Sequence, residues 1–145
     1  MADQRHDYDT SVQWTSERHG TLTLSGRPPI SIGAPPEFGG SGEVWSPEQL
    51  CVAAVNACVM LTFVTIAQNS KLAFKDYAAS ATGTLEKIDG RGPVITSVVV
   101  KPRITVAPEV DRGKVERVIK MAEKNCYISN SLSGAVRLEP EIIVA

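Results

Sequence analysis

Cysteine is scarce in this chain: three in 145 residues, an odd number. A disulfide-stapled secreted scaffold wants a dense, even set, so that class is disfavoured and a reducing compartment is expected. Surplus charge of one sign is missing too. Fifteen Lys plus Arg face sixteen Asp plus Glu, a formal net charge of −1, without the basic excess of a general nucleic-acid binder. The first residues, Met1 to Asp7, contain no apolar core of the kind that marks a secretory signal. The longest apolar run, Cys51 to Ala67, is interrupted by Asn56, Thr62 and Thr65 and falls short of the ~20 apolar residues of a membrane helix. These absences predict a cytoplasmic protein with neither membrane nor nucleic acid as partner. What is present, 43% hydrophobic and 21% charged residues, suits one globular domain over 1–145, with residues 1–10 expected to fray.

Patterning predicts the elements. Ser11–Thr15 and Thr21–Leu24 read as short strands around a Glu17-Arg18-His19-Gly20 turn, and Pro29–Ile32 as another extended piece. Residues 33–47 form a long loop, whose glycines at 39, 40 and 42 read as loop flexibility. Ser46-Pro47-Glu48-Gln49 is a helix start: a capping serine, proline at the first helical position, and a glutamine to close a capping box. The helix runs from Gln49 to about Ser70 and is apolar on nearly every face through Leu50–Leu61, the pattern of a buried central helix. Residues 75–89 and 94–106 read as paired strands joined through Asp89–Pro93, with Pro102 suggesting an edge or a bulge. Asp111–Asn125 reads as a helix with Val115, Val118, Ile119 and Ala122 on its apolar face. A short turn or helix over 129–134 and a last strand through Ile142–Val144 follow. Grouped strands and helices give an α+β class. One small sheet covers only one side of an all-apolar helix, so a homodimer sharing that helix is expected.

Three thiols are the principal candidates for chemistry. Cys51 and Cys58 lie seven residues apart, a rise of ~10.5 Å on a helix, too far to bridge. Cys58 and Cys126 are on separate elements that can meet. A buried free cysteine is most often a small hydrophobe, and Cys51 is read that way. A reactive thiol needs a cation or a helix N-terminus to favour its thiolate. Arg18 is a candidate cation, against the commoner fate of a solvated turn residue. Glu48 sits in the first helical turn, where the dipole alone suffices to explain it. It also precedes Cys58 by ten residues, on roughly the same side of the helix, where it can hold an arginine by a bidentate pair. His6 and His19 lack metal-ligand spacing, and the glycine-rich loop lacks the ending of a phosphate loop, so neither a metal nor a cofactor is expected.

Ser46-Pro47-Glu48-Gln49-Leu50, then Ala53-Ala54-Val55-Asn56-Ala57-Cys58, then Asn125-Cys126-Tyr127-Ile128-Ser129 resemble the OsmC/Ohr family of thiol-dependent peroxidases. The resemblance covers nearly the whole chain. It implies an OsmC-like fold, an antiparallel sheet around a long central helix in an intertwined homodimer with sites at the subunit interface. It also implies reduction of organic hydroperoxides, with a dithiol such as a lipoylated protein as reductant. By position, Cys58 resembles the peroxidatic cysteine and Cys126 the resolving one. Glu48 resembles the carboxylate that places the arginine, with Arg18 matching that arginine and Arg27 as its competitor. Arg18 would then favour the Cys58 thiolate, and Phe38, Trp45, Val59, Met60 and Phe63 would surround a bulky peroxide. Two other classes share these features: a ligand-binding protein on the same fold, and a redox sensor that signals through its disulfide.

Overall fold

The computed structural model describes residues 4–145. Of the stretch expected to fray, residues 1–3 lie outside the described residues, and residues 4–10 are exposed and without regular structure. The chain forms two compact units, Met1–Leu50 and Cys51–Ala145.

The first unit holds a three-stranded antiparallel sheet, β1 (Ser11–Ser16), β2 (His19–Thr23) and β3 (Ile30–Gly33), in that order. The β1–β2 turn is tighter than expected, Glu17–Arg18 alone, with Glu17 at φ 48°. The loop after β3 is folded back rather than slack, which corrects the reading of its glycines as flexibility. A Cβ on Gly40 would lie 1.4 Å from the Ala34 carbonyl oxygen, so only glycine allows that approach. Gly39 closes a 3-10 turn over Pro36–Phe38 at φ 90°, the left-handed region.

Helix α1 (Pro47–Asn69) begins on the anticipated capping box. The Ser46 amide donates to Gln49 Oε1 at 3.0 Å, and the Gln49 amide donates to Ser46 Oγ at 3.1 Å. The helix is 23 residues long, and by length and composition alone it is long and apolar enough to cross a membrane. This corrects the expectation from the run Cys51–Ala67, which is only part of the helix. One stripe of it, Val55, Val59, Phe63 and Ala67, is buried; Leu61 is 58% exposed. The single chain therefore does not bury the helix on all sides.

In the second unit β4 (Asp76–Ile88) and β5 (Gly92–Val106) form a long antiparallel pair with a register shift after Thr84. Helices α2 (Arg112–Asn125) and α3 (Tyr127–Asn130) lead to β6 (Ala135–Leu138) and β7 (Glu141–Val144). Both final strands run parallel to β5, so the sheet is mixed rather than wholly antiparallel. The helical crossover brings the chain back to the same end of β5. Where one last strand was expected, Glu139-Pro140 divides it into two.

Pro102 is neither at an edge nor in a bulge. It is buried in the central strand, opposite Ala79. The Val100 and Val106 carbonyls accept from the amides of Glu139 and Ala145, so even-numbered residues turn their backbone groups toward β6 and β7. Pro102 belongs to that set and falls between Val100, the last partner of β6, and Arg103, the first of β7. Its missing N–H lies where no strand needs it.

Two packed clusters form the core of this unit. Phe63, Ala67, Leu72, Ile104 and Val106 meet Val115, Val118, Ile119 and Ala122 of α2. Val55 and Val59 meet Val98, Val100 and Cys126. Helix α1 approaches β4 closely because residue 83 is glycine: a Cβ there would lie 2.4 Å from Val52 Cγ2. Gly83→Ala is expected to destabilise the chain by about 1–3 kcal/mol through overpacking. Urea denaturation checks this, and adding Val52→Ala should recover part of the loss; simple additivity would place the strain elsewhere.

Candidate active site

The site residues named from the sequence fall into two groups, one per unit. In the first unit, Arg18 lies in the β1–β2 turn and Glu48 in the first turn of α1. Both line a cavity of about 430 Å3, together with the apolar side chains of Val12, Trp14, Ile32 and Phe38. The expected Arg18–Glu48 ion pair does not occur among the described residues. Arg18 Nη1 instead donates to the Phe38 carbonyl, and Glu48 Oε1 is buried without a hydrogen-bond partner. Gly39 makes room for the guanidinium, since a Cβ there would lie 2.8 Å from Arg18 Nη1. Nothing local in the sequence links Gly39 to Arg18. Arg27 does not line this cavity and donates to the nearby Ser25 carbonyl at 3.3 Å. His19 Nε2 lies 3.1 Å from Ser41 Oγ. Among the described residues no group of three His, Cys, Asp or Glu is gathered as a metal site.

In the second unit the structure brings Cys58 and Cys126 together. Cys58 projects from the middle of α1 and is half-buried; Cys126 caps the junction of α2 and α3 and is fully buried. Both are free thiols, as is Cys51. Cys126 packs with Val55, Val59, Val98 and Val100, and Cys58 borders the same cluster. Val59 and Phe63, expected around a substrate, are core residues here.

The surroundings treat the two thiols oppositely. Burial pushes the Cys58 thiol up, but four donors to its sulfur outweigh that: the Ile128 amide, the Cys126 thiol, the Thr62 hydroxyl and the Tyr127 amide. Cys58 therefore ionises below the ordinary thiol range. Burial also pushes Cys126 up. The hydroxyl and amide of Ser129 offset this in part, while its hydrogen bond to Cys58 and the Cys58 charge push it further up. The Ser129 hydroxyl acts from beyond hydrogen-bond reach, since it is buried with no hydrogen-bond partner. The pair thus has a preferred order of ionisation, with the half-buried sulfur first. Neither Thr62 nor the amides after Cys126 were picked out from sequence. Thr62 had a legible signal, the i, i+4 spacing from Cys58; backbone donors have none.

Residues 40–141 match the protein family described as OsmC-like protein. The chain is 27% identical, over 99% of its length and 97% of the relative's, to the uncharacterized protein YmaD of Bacillus subtilis (strain 168). Among solved structures, an OsmC-like protein of unknown function from Vibrio cholerae superposes with a TM-score of 0.86 at 24% identity, covering 94% of this chain and 99% of that one. An organic hydroperoxide resistance protein from Legionella pneumophila gives 0.74 at 22% identity, covering 96% and 99%. One from Elizabethkingia anophelis gives 0.75 at 19% identity, covering 98% and 100%. At these identities the structures attest the fold.

Site-resolved alkylation of the reduced protein with iodoacetamide checks the order of ionisation. Cys58 is expected to react with a pH midpoint below that of an ordinary thiol, and Cys126 with one above it. Equal midpoints, or the reverse order, would overturn the assignment.

Proposed function

The chain belongs to the OsmC-like family, and we propose that within it the protein is a thiol-dependent peroxidase that reduces organic hydroperoxides through Cys58 and Cys126. The observation that carries this reading is the thiol pair itself: a sulfur held toward its anionic form beside a second, buried sulfur held toward its protonated form. Hydroperoxide-resistance proteins among its structural relatives agree with it.

In this reading the Cys58 thiolate attacks the terminal peroxide oxygen. The O–O bond breaks, the alkoxide leaves and takes a proton to become an alcohol, and Cys58 is oxidised to a sulfenic acid. Cys126 loses its proton and attacks the Cys58 sulfur, releasing water and forming a disulfide. A dithiol reductant then returns two electrons and two protons and leaves as its own disulfide. The roles of Arg18, as the cation that favours the thiolate and the leaving alkoxide, and of Glu48, as the carboxylate that places it, come from the resemblance. The cavity supports a substrate-facing role for Arg18, because its hydrocarbon walls and single guanidinium suit a molecule with an apolar body and an oxygen-bearing end. Arg18 is preferred over Arg27 because only Arg18 lines that cavity.

A homodimer is part of the proposal. The face of α1 with Ala54, Ala57 and Leu61 is exposed. Beside it a cavity of about 270 Å3 is lined by Ala53, Asn56, Met60 and Tyr77. There Asn56 Oδ1 and the Tyr77 hydroxyl are buried without partners, and burial pushes the Tyr77 phenol up to about 12. A second copy laid along this face would cover the apolar stripe.

Turnover of an organic hydroperoxide with a dithiol donor tests the chemistry. Cys58→Ser is expected to bring the rate down to that of the uncatalysed reaction. Cys126→Ser should consume one equivalent of peroxide and then stop. Full turnover by Cys58→Ser, or a native rate no faster than that of a free thiol, would overturn the reading. For the assembly, Leu61→Arg should convert a dimer, seen by light scattering, into monomers; a native monomer would overturn that part.

A further inference from the structure

Helix α1 carries two threonines a turn apart, and they use their hydroxyls differently. Thr65 Oγ1 donates to the Leu61 carbonyl at 2.8 Å, the back-bond a helical threonine ordinarily makes. Thr62 makes no such bond among the described residues. Its Oγ1 lies 3.9 Å from Cys58 Sγ, one turn earlier on the same face, and it is half-buried. The amides of Tyr127 and Ile128 at the start of α3, and the thiol of Cys126, also favour the charged form of that sulfur. Donors therefore reach Cys58 from its own helix and from the α2–α3 junction, while the β5 side offers the hydrocarbon of Val98 and Val100.

We propose that Thr62 is a positioning residue for Cys58, its hydroxyl donating to the sulfur and holding it toward Cys126 and the α3 amides. The proposal rests on the reading of Cys58 as the nucleophile and adds to it a residue that no peroxide need touch. A hydroxyl in this place does two things. It gives an anionic sulfur a donor that helix geometry keeps in reach at no cost in reorganisation. It also favours the side-chain rotamer in which the later attack by Cys126 is short. Among the described residues of this unit, the titratable group acting on Cys58 is Cys126 alone, so a change at residue 62 is read without interference from a nearby carboxylate or amine.

The test is the pH profile of Cys58 alkylation in the reduced full-length chain, resolved from Cys51 and Cys126 by peptide mass spectrometry. Thr62→Val keeps the branched shape and removes the donor. It is expected to raise the Cys58 midpoint by about 0.5–1 unit, the scale of one ordinary hydrogen bond. Thr62→Ser should keep the native midpoint, and Thr62→Ala, a second variant without the hydroxyl, should match Thr62→Val. An unchanged midpoint in Thr62→Val overturns the proposal. So does a Thr62→Ser shift as large as that of Thr62→Val, which would assign the effect to packing. Peroxide turnover of the native chain, measured alongside, separates the two ideas. Turnover without a Thr62→Val shift removes the role of Thr62. A shift without turnover removes the peroxidase reading and leaves the role of Thr62 at the sulfur standing.

Discussion

A long helix that is apolar on every side must find hydrocarbon to rest against, and in this chain the fit begins at one missing side chain. Gly83 lets β4 pass so near α1 that Val52 occupies the space of a Cβ. That closeness seats Val55 and Val59 against Val98 and Val100 and carries Cys58 to the margin of the cluster in which Cys126 is sealed. The thiol pair is thus a product of core packing: the residues that bury apolar surface are the same ones that fix the separation of the two sulfurs.

Within that frame the two cysteines differ because of what each can receive. Cys58 is half-buried and meets donors from two elements; Cys126 is fully buried and faces a neighbour that becomes negative first. Desolvation acts on both in the same direction, so the asymmetry comes from hydrogen bonding and from the charge of one sulfur upon the other. One sulfur is therefore held toward its thiolate and the other toward its thiol, the asymmetry that the proposed two-step reaction would use.

Much of this was legible in the residues. Ser46 and Gln49 announced the helix start through side chains that can only cap, the apolar spacing of Val115, Val118, Ile119 and Ala122 gave the buried face of α2, and the two cysteines on separate elements did meet. Other features lay beyond a local reading. The split of the last strand into β6 and β7 had a local sign in Pro140, but the parallel pairing of both pieces with β5 is a non-local matter. Pro102 suggested an edge because a proline costs a ladder bond, and only the strand order shows that no bond was due at that point. Gly39 and Gly40 read as slack because composition cannot distinguish a glycine that permits motion from one that permits contact.

Pro102 carries a consequence for how the sheet assembles. Strands β6 and β7 are four residues each, and short parallel strands beside a rich β-branched partner can pair one repeat out of step with little loss of side-chain burial, since a two-residue slide preserves the facing pattern. A slide of β5 by that amount would bring the proline opposite a strand residue that wants a donor. The single imino acid thus works as an alignment pin: it tolerates one setting of the final strands and penalises the neighbouring ones, so the correct closure of the sheet is chosen by a bond that the chain cannot make.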